Sequence, residues 1–143
     1  MASINFGDYS LNKNLNWEAL NLKNNPDLKA AFKAPSNKST FTVREFENIK
    51  ETSLKKNVAS WVKDYTSYGL KITESKPIKL KDGAYVYFIE AIHKKTKKIF
   101  SQYMSIKDRK LITLTCQSDG HNKELKVCVN TLKSFTWKTK NTN

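Results

Sequence analysis

Between Ala84 and His93 apolar residues occupy both side-chain parities, with Ala84, Val86, Phe88 and Ile92 on one and Tyr85, Tyr87, Ile89 and Ala91 on the other. Successive strand residues point to opposite faces, so this pattern predicts a strand covered on two sides. Ile99 to Ile106 and Leu111 to Cys116 are further runs rich in β-branched and aromatic residues. The breaks between them, Lys94-Lys95-Thr96-Lys97-Lys98 and Lys107-Asp108-Arg109-Lys110, are polar and of hairpin length. The three strands therefore form an antiparallel meander. A tight turn at Lys107 to Lys110 sets Tyr103 beside Leu114 and Ser101 beside Cys116, which puts Ile112, Leu114 and Cys116 on one face. From Glu124 to Phe135 the period changes. Leu125, Cys128, Val129, Leu132 and Phe135 are spaced by three and four, with Lys123, Lys126 and Lys133 off the stripe, so a helix covers that face.

The first half is patterned less regularly. Ile4 to Leu11 and Asn16 to Leu22 read as strands, with Trp17 an early core anchor. Asn25-Pro26-Asp27 has the form of a helix start with proline at the first helical position, yet Leu28 to Ala34 fits a strand as well. Pro35-Ser36-Asn37-Lys38 is a turn, and the alternation of Phe41 to Glu47 favours a hairpin. Thr52 or Ser53 then caps a helix whose stripe is Leu54, Val58, Trp61, Val62 and Tyr65, stopped near Gly69. Leu70 to Leu80 follows as a strand, where Pro77 marks an edge position or a bulge. Lys81-Asp82-Gly83 turns into the meander, and Lys138 to Asn143 reads as a loose tail.

These elements make one α+β domain over residues 1–143, an antiparallel sheet flanked by helices. A chain of 143 residues is long enough to bury roughly 70% of its unfolded surface, so a core forms without staples. The net charge is +13, which attracts polyanions. However, 24 of the 26 basic residues are lysine, and there are 14 asparagines, a bias that an AT-rich genome produces without any functional demand. Scarce arginine also argues against sequence-specific nucleic-acid reading, where bidentate arginine contacts dominate. If the charge is functional, the basic contacts are Lys94, Lys95, Lys97 and Lys98 at one tip and Lys107, Arg109 and Lys110 at the other. Those tips close successive hairpins and lie at opposite ends of the meander.

No catalytic motif is present, and no enzyme, cofactor or metal is expected. His93 and His121 sit at a hairpin end and in a loop without motif partners. Cys116, His121 and Cys128 with Asp119 or Glu124 lack the paired spacing of a zinc site. A reactive cysteine needs exposure in a cleft, whereas both cysteines fall on apolar stripes. There is no glycine-rich phosphate loop, with only four glycines in the chain.

Several features together carry a resemblance: Trp17 in an early strand, a hairpin, a capped helix, Gly83 ahead of an aromatic strand, Gln102-Tyr103, Leu114-Thr115-Cys116, and a last helix running into Leu132-Lys133-Ser134-Phe135. In this order the chain resembles the PsbP-like superfamily over almost its whole length. That group includes extrinsic photosystem subunits, a Ran-binding nuclear import factor, DcrB-like bacterial envelope lipoproteins and cytosolic adaptor chaperones of type VI secretion effectors. The resemblance implies an α/β/α sandwich and a non-enzymatic accessory or binding role, with no catalytic set to carry over.

Cys116 and Cys128 project into one strand–helix layer, and a disulfide between them is expected against the alternative of two buried thiols. Closing so short a loop stabilises by about 3 kcal/mol on chain-entropy grounds. Disulfides belong to oxidising compartments, so the bridge points to an exported domain, periplasmic or lipid-anchored in a bacterial cell envelope. Met1-Ala2-Ser3 does not begin a signal peptide, which places any export signal upstream of this chain. No run is long and apolar enough to span a membrane. The expected partner is a protein, met by a monomer. Free thiols would instead suit a cytosolic adaptor or chaperone, and the lysine clusters leave a polyanion binder as a third reading.

Overall fold

The computed structural model describes residues 2–13 and 16–138. Among them the elements run β1 (Ala2–Asn5), β2 (Tyr9–Lys13), β3 (Glu18–Ala19), β4 (Leu28–Lys33), β5 (Ser39–Phe46), α1 (Leu54–Ser67), β6 (Leu70–Lys79), β7 (Tyr85–His93), β8 (Ile99–Lys107), β9 (Lys110–Ser118), α2 (Asn122–Lys133) and β10 (Thr136–Trp137). Seven strands form an antiparallel sheet in the order β3-β4-β5-β9-β8-β7-β6, and β1-β2-β10 form a smaller one. The expected α+β sandwich is therefore present. The large sheet carries α1 on one face, and α2 with the small sheet on the other.

The meander has the register that its turn dictates, with Tyr103 opposite Leu114 and Ser101 opposite Cys116. Asp108 and Arg109 both take left-handed backbone angles, φ 51° and 63°, in a two-residue turn whose twist matches the strands it joins. Two-sided burial follows from the parity pattern. Val86, Phe88, Tyr103, Ile112, Leu114 and Cys116 pack toward Cys128, Leu132 and Phe135. Ile89, Met104 and Leu111 pack toward Val58, with Leu54, Trp61, Val62 and Tyr65 half-buried around it. Ser53 caps α1 by accepting a 3.3 Å hydrogen bond from Lys56 N, and Gly69 takes φ 88° just past the helix end.

The N-terminal region differs from expectation. Ile4 to Leu11 is not one strand but a hairpin, turned at Gly7 (φ 93°) where Asn5 Oδ1 accepts from Gly7 N at 2.9 Å. The apolar parity switches there, from Ile4 and Phe6 to Tyr9 and Leu11, and a continuous strand cannot bury both pairs on one face. Of Asn16 to Leu22 only Glu18–Ala19 forms a strand, since the apolar parity switches between Trp17-Glu18-Ala19 and Leu20-Asn21-Leu22 and only Trp17 is buried. The C-terminal helix stops at Lys133. Phe135 lies beyond it, and Thr136–Trp137 returns to pair with Ser10 and Tyr9 of β2. Lys138, expected in the loose tail, donates its backbone N–H to Asp8 O at 2.8 Å, while residues 139–143 lie outside the described residues.

Candidate binding groove between the edge strand and the last helix

Helix α2 is positioned at both of its ends and in its middle. At its start His121 Nδ1 accepts from Glu124 N at 3.3 Å, and Glu124 Oε1 accepts from Ser36 Oγ at 2.6 Å and Ser39 Oγ at 2.8 Å, tying the helix to the β4–β5 turn. Burial works to raise the Glu124 carboxyl, but these two hydroxyl donors and nearby His121 outweigh it and hold the group below its ordinary range. In the middle, Cys128 is bridged to Cys116 of β9 with Cα atoms 5.9 Å apart. The predicted disulfide is thus present in the interior, with both residues at most 1% exposed. It removes both sulfurs from thiolate chemistry, so neither serves as nucleophile or metal ligand in this form.

The bridge fixes α2 over the central strand and leaves the far side of the sheet open. β9 is the middle strand of the order, and β8, β7 and β6 extend beyond it. A groove results between α2 and β6. Its larger basin, about 470 Å³, is lined by Ile78 to Lys81, Tyr103, and Lys133 to Thr136. A second basin of about 240 Å³ is lined by Glu74, Lys76, Ile78, Phe88, Tyr103, Val129 and Lys133. Ile78, Tyr103 and Lys133 line both, so the two are continuous. The floor is aromatic, with Phe88 and Tyr103 packed edge to face at 5.9 Å between ring centres. No described residue hydrogen-bonds the Tyr103 hydroxyl, and burial raises its pKa. The rim carries lysines 76, 79, 81 and 133 against the single carboxylate of Glu74, which Lys76 pairs at 2.7 Å.

The outer wall of the groove is an edge strand built to refuse another strand. Pro77 has no N–H, the register shifts between Ile72 and Glu74, and Lys71, Lys76 and Lys79 are exposed along it. The edge position expected from Pro77 is borne out, whereas the irregularity in register lies not at Pro77, which pairs regularly with Tyr87, but earlier in the strand between Ile72 and Glu74. A partner therefore meets the face beside β6 more readily than its backbone.

The two basic tips are far apart and differently employed. Lys94, Lys95, Lys97 and Lys98 are exposed at the β7–β8 tip, where His93 Nδ1 accepts from Lys95 N at 3.3 Å and Thr96 N at 3.2 Å. At the β8–β9 tip the cations turn inward. Lys110 Nζ meets Asp8 Oδ2 at 2.7 Å and Glu47 Oε1 at 3.3 Å, Arg109 Nε donates to Ile49 O, and Lys107 Nζ donates to Lys138 O at 3.0 Å while lying 5.7 Å from the Trp137 ring centre. The hydrogen bond from Lys110 to Asp8 is the main reason its pKa rises. The structure brings no two of the predicted clusters into one surface. Sequence reading missed the groove because its walls, β6 and α2, are separated in the chain by the whole meander; the only local signal was Val129, at the margin of the helix stripe.

No family model matches the chain, and no curated protein matches it in sequence. Its architecture does have solved counterparts. A cyanobacterial PsbP, CyanoP from Synechocystis, superposes with a TM-score of 0.64 at 15% identity, covering 92% of this chain and 87% of that one. The fold is PsbP-like. A Pseudomonas aeruginosa protein of unknown function shares the PsbP-like architecture at TM-score 0.65 and 9% identity, covering 98% and 99%. The Ran-binding protein Mog1p of Saccharomyces cerevisiae does so at 0.60 and 8%, covering 95% and 94%. At such identities the likeness transfers a PsbP-like backbone and no residue roles.

Proposed function

We propose that the protein is a non-enzymatic accessory domain, exported to the oxidising side of a bacterial cell envelope, where it binds a protein partner as a monomer. The carrying observation is the interior disulfide between Cys116 and Cys128. A pair of cysteines this deep in the core stays bridged where thiol reductants are absent, and such compartments are extracytoplasmic. One solved structure that shares the fold is named for binding rather than for a reaction, the Ran-binding protein Mog1p. The guarded β6 edge supports a monomer, since edge-to-edge sheet pairing is disfavoured along it. Among the described residues no helix is long and apolar enough to cross a membrane.

The test is thiol titration of the denatured, unreduced protein taken from its native cells. No reactive thiol supports export. Two reactive thiols would return the chain to the reading of a cytosolic adaptor, in which both cysteines are free.

A further inference from the structure

We propose that the groove between β6 and α2 receives an extended acidic segment of a protein partner, with one apolar side chain over Phe88 and Tyr103 and carboxylates on Lys81 and Lys133. This rests on the reading of the chain as a binding domain, but not on its compartment.

Three observations converge on that occupant. The rim from Glu74 to Lys81 follows a strand and its exit, and at about 3.3 Å per residue it is on the order of 20 Å long. That is the length of a short extended peptide rather than of a compact small molecule. Charge complementarity sets the sign of the peptide. Lysines dominate the rim, the one carboxylate is already paired by Lys76, and helical spacing of three and four carries the basic line from Lys133 past Val129 to Lys126. The floor supplies the anchor. Phe88, Ile78 and Tyr103 offer an apolar bed with a free hydroxyl that can donate to a backbone carbonyl or carboxylate.

Strand addition is not the mode, since Pro77 and the register shift interrupt the β6 edge. A membrane surface fits less well. The exposed large apolar residues are Leu20, Tyr68 and Tyr85, none of which lines the groove. Lysine abundance alone does not mark the groove either, because lysines cover the whole chain; the distinguishing feature is their meeting over a groove floored by Ile78 and the edges of the largely buried Phe88 and Tyr103 rings.

The experiment uses the full oxidised chain and a labelled heptapeptide, three aspartates on each side of a central phenylalanine. Amide shift mapping should confine perturbations to β6, Tyr103 and the last two turns of α2. The double variant K81E/K133E should weaken binding by about tenfold or more, whereas K50E/K95E, which changes net charge equally, should weaken it by about twofold. Replacing the peptide's phenylalanine with alanine should also weaken binding, and Tyr103→Phe should weaken it with the fold intact by circular dichroism. Equal losses in the two double variants, or shifts scattered over the surface, would overturn the site. Tighter capture of dodecanoate or of phosphatidylglycerol vesicles than of the peptide, at the same lysines, would overturn the occupant. Thiol state and shift map are independent readouts, so export and groove can fail separately.

Discussion

The Tyr9 hydroxyl donates a 2.7 Å hydrogen bond to Glu45 Oε1, joining the small sheet to the large one through the core. Tyr9 is 0% exposed and Glu45 9%, and Lys29 Nζ stands 3.9 Å from the other carboxylate oxygen. Tyr9→Phe keeps the ring contacts with Phe6, Phe135 and Trp137 but leaves the carboxylate one donor short. A loss of about 1–3 kcal/mol in urea unfolding is expected. An unchanged midpoint would show that Lys29 and water suffice.

Burial raises the pKa of Tyr9, Tyr65 and Tyr103, and for Tyr9 the carboxylate of Glu45 adds to it. A folded-state pKa above the unfolded one means that the native protein holds its protons longer. The resulting stability is complete below the ordinary tyrosine value of about 10 and declines as pH rises above it. Alkaline unfolding should therefore begin above about pH 10, and Tyr9→Phe should flatten its pH dependence. Tyrosine absorbance that titrates as in free tyrosine, without unfolding, would contradict this.

Phe135 and Trp61 lie on analogous helical stripes in the sequence, yet their burial differs. Phe135 is 1% exposed in the core under α2, whereas Trp61 is half-buried against Phe46 and Tyr65. Phe135→Ala should cost about 3–5 kcal/mol, and Trp61→Ala less, about 2 kcal/mol. Denaturant unfolding of both variants checks the order, and a larger loss at Trp61 would reverse it.

Polyanion binding should be weak and unfocused, because the free lysines of the β7–β8 tip face away from a β8–β9 tip whose cations hold Asp8, Glu47 and the C-terminal strand. Heparin elution should come at low salt. K94E/K95E should shift it modestly without loss of stability. Lys110→Ala should instead lower stability, by up to about 1 kcal/mol for so largely surface a pair. Late elution abolished by K94E/K95E would establish that tip as a site.

Local pattern alone determined the meander, its register, both helices and the two-sided burial of β7, since each depends on residues within a few positions of one another and on fixed periods of two and 3.6. It also placed Cys116 and Cys128 in one layer, because a helix that follows a strand directly must bury its stripe on the face that strand exposes. The N-terminal hairpin was partly legible, in the parity switch at Gly7. Long-range assembly lay beyond it. Thr136–Trp137 is too short to carry a period, and its pairing with Tyr9 is decided by the meeting of three aromatic rings in the core. The fate of the lysines was equally invisible, because whether a cation faces solvent or Asp8 depends on how distant segments pack. The groove arises for the same reason: only once the bridge sets α2 over β9 do β6 and Lys133 become the two walls of one surface.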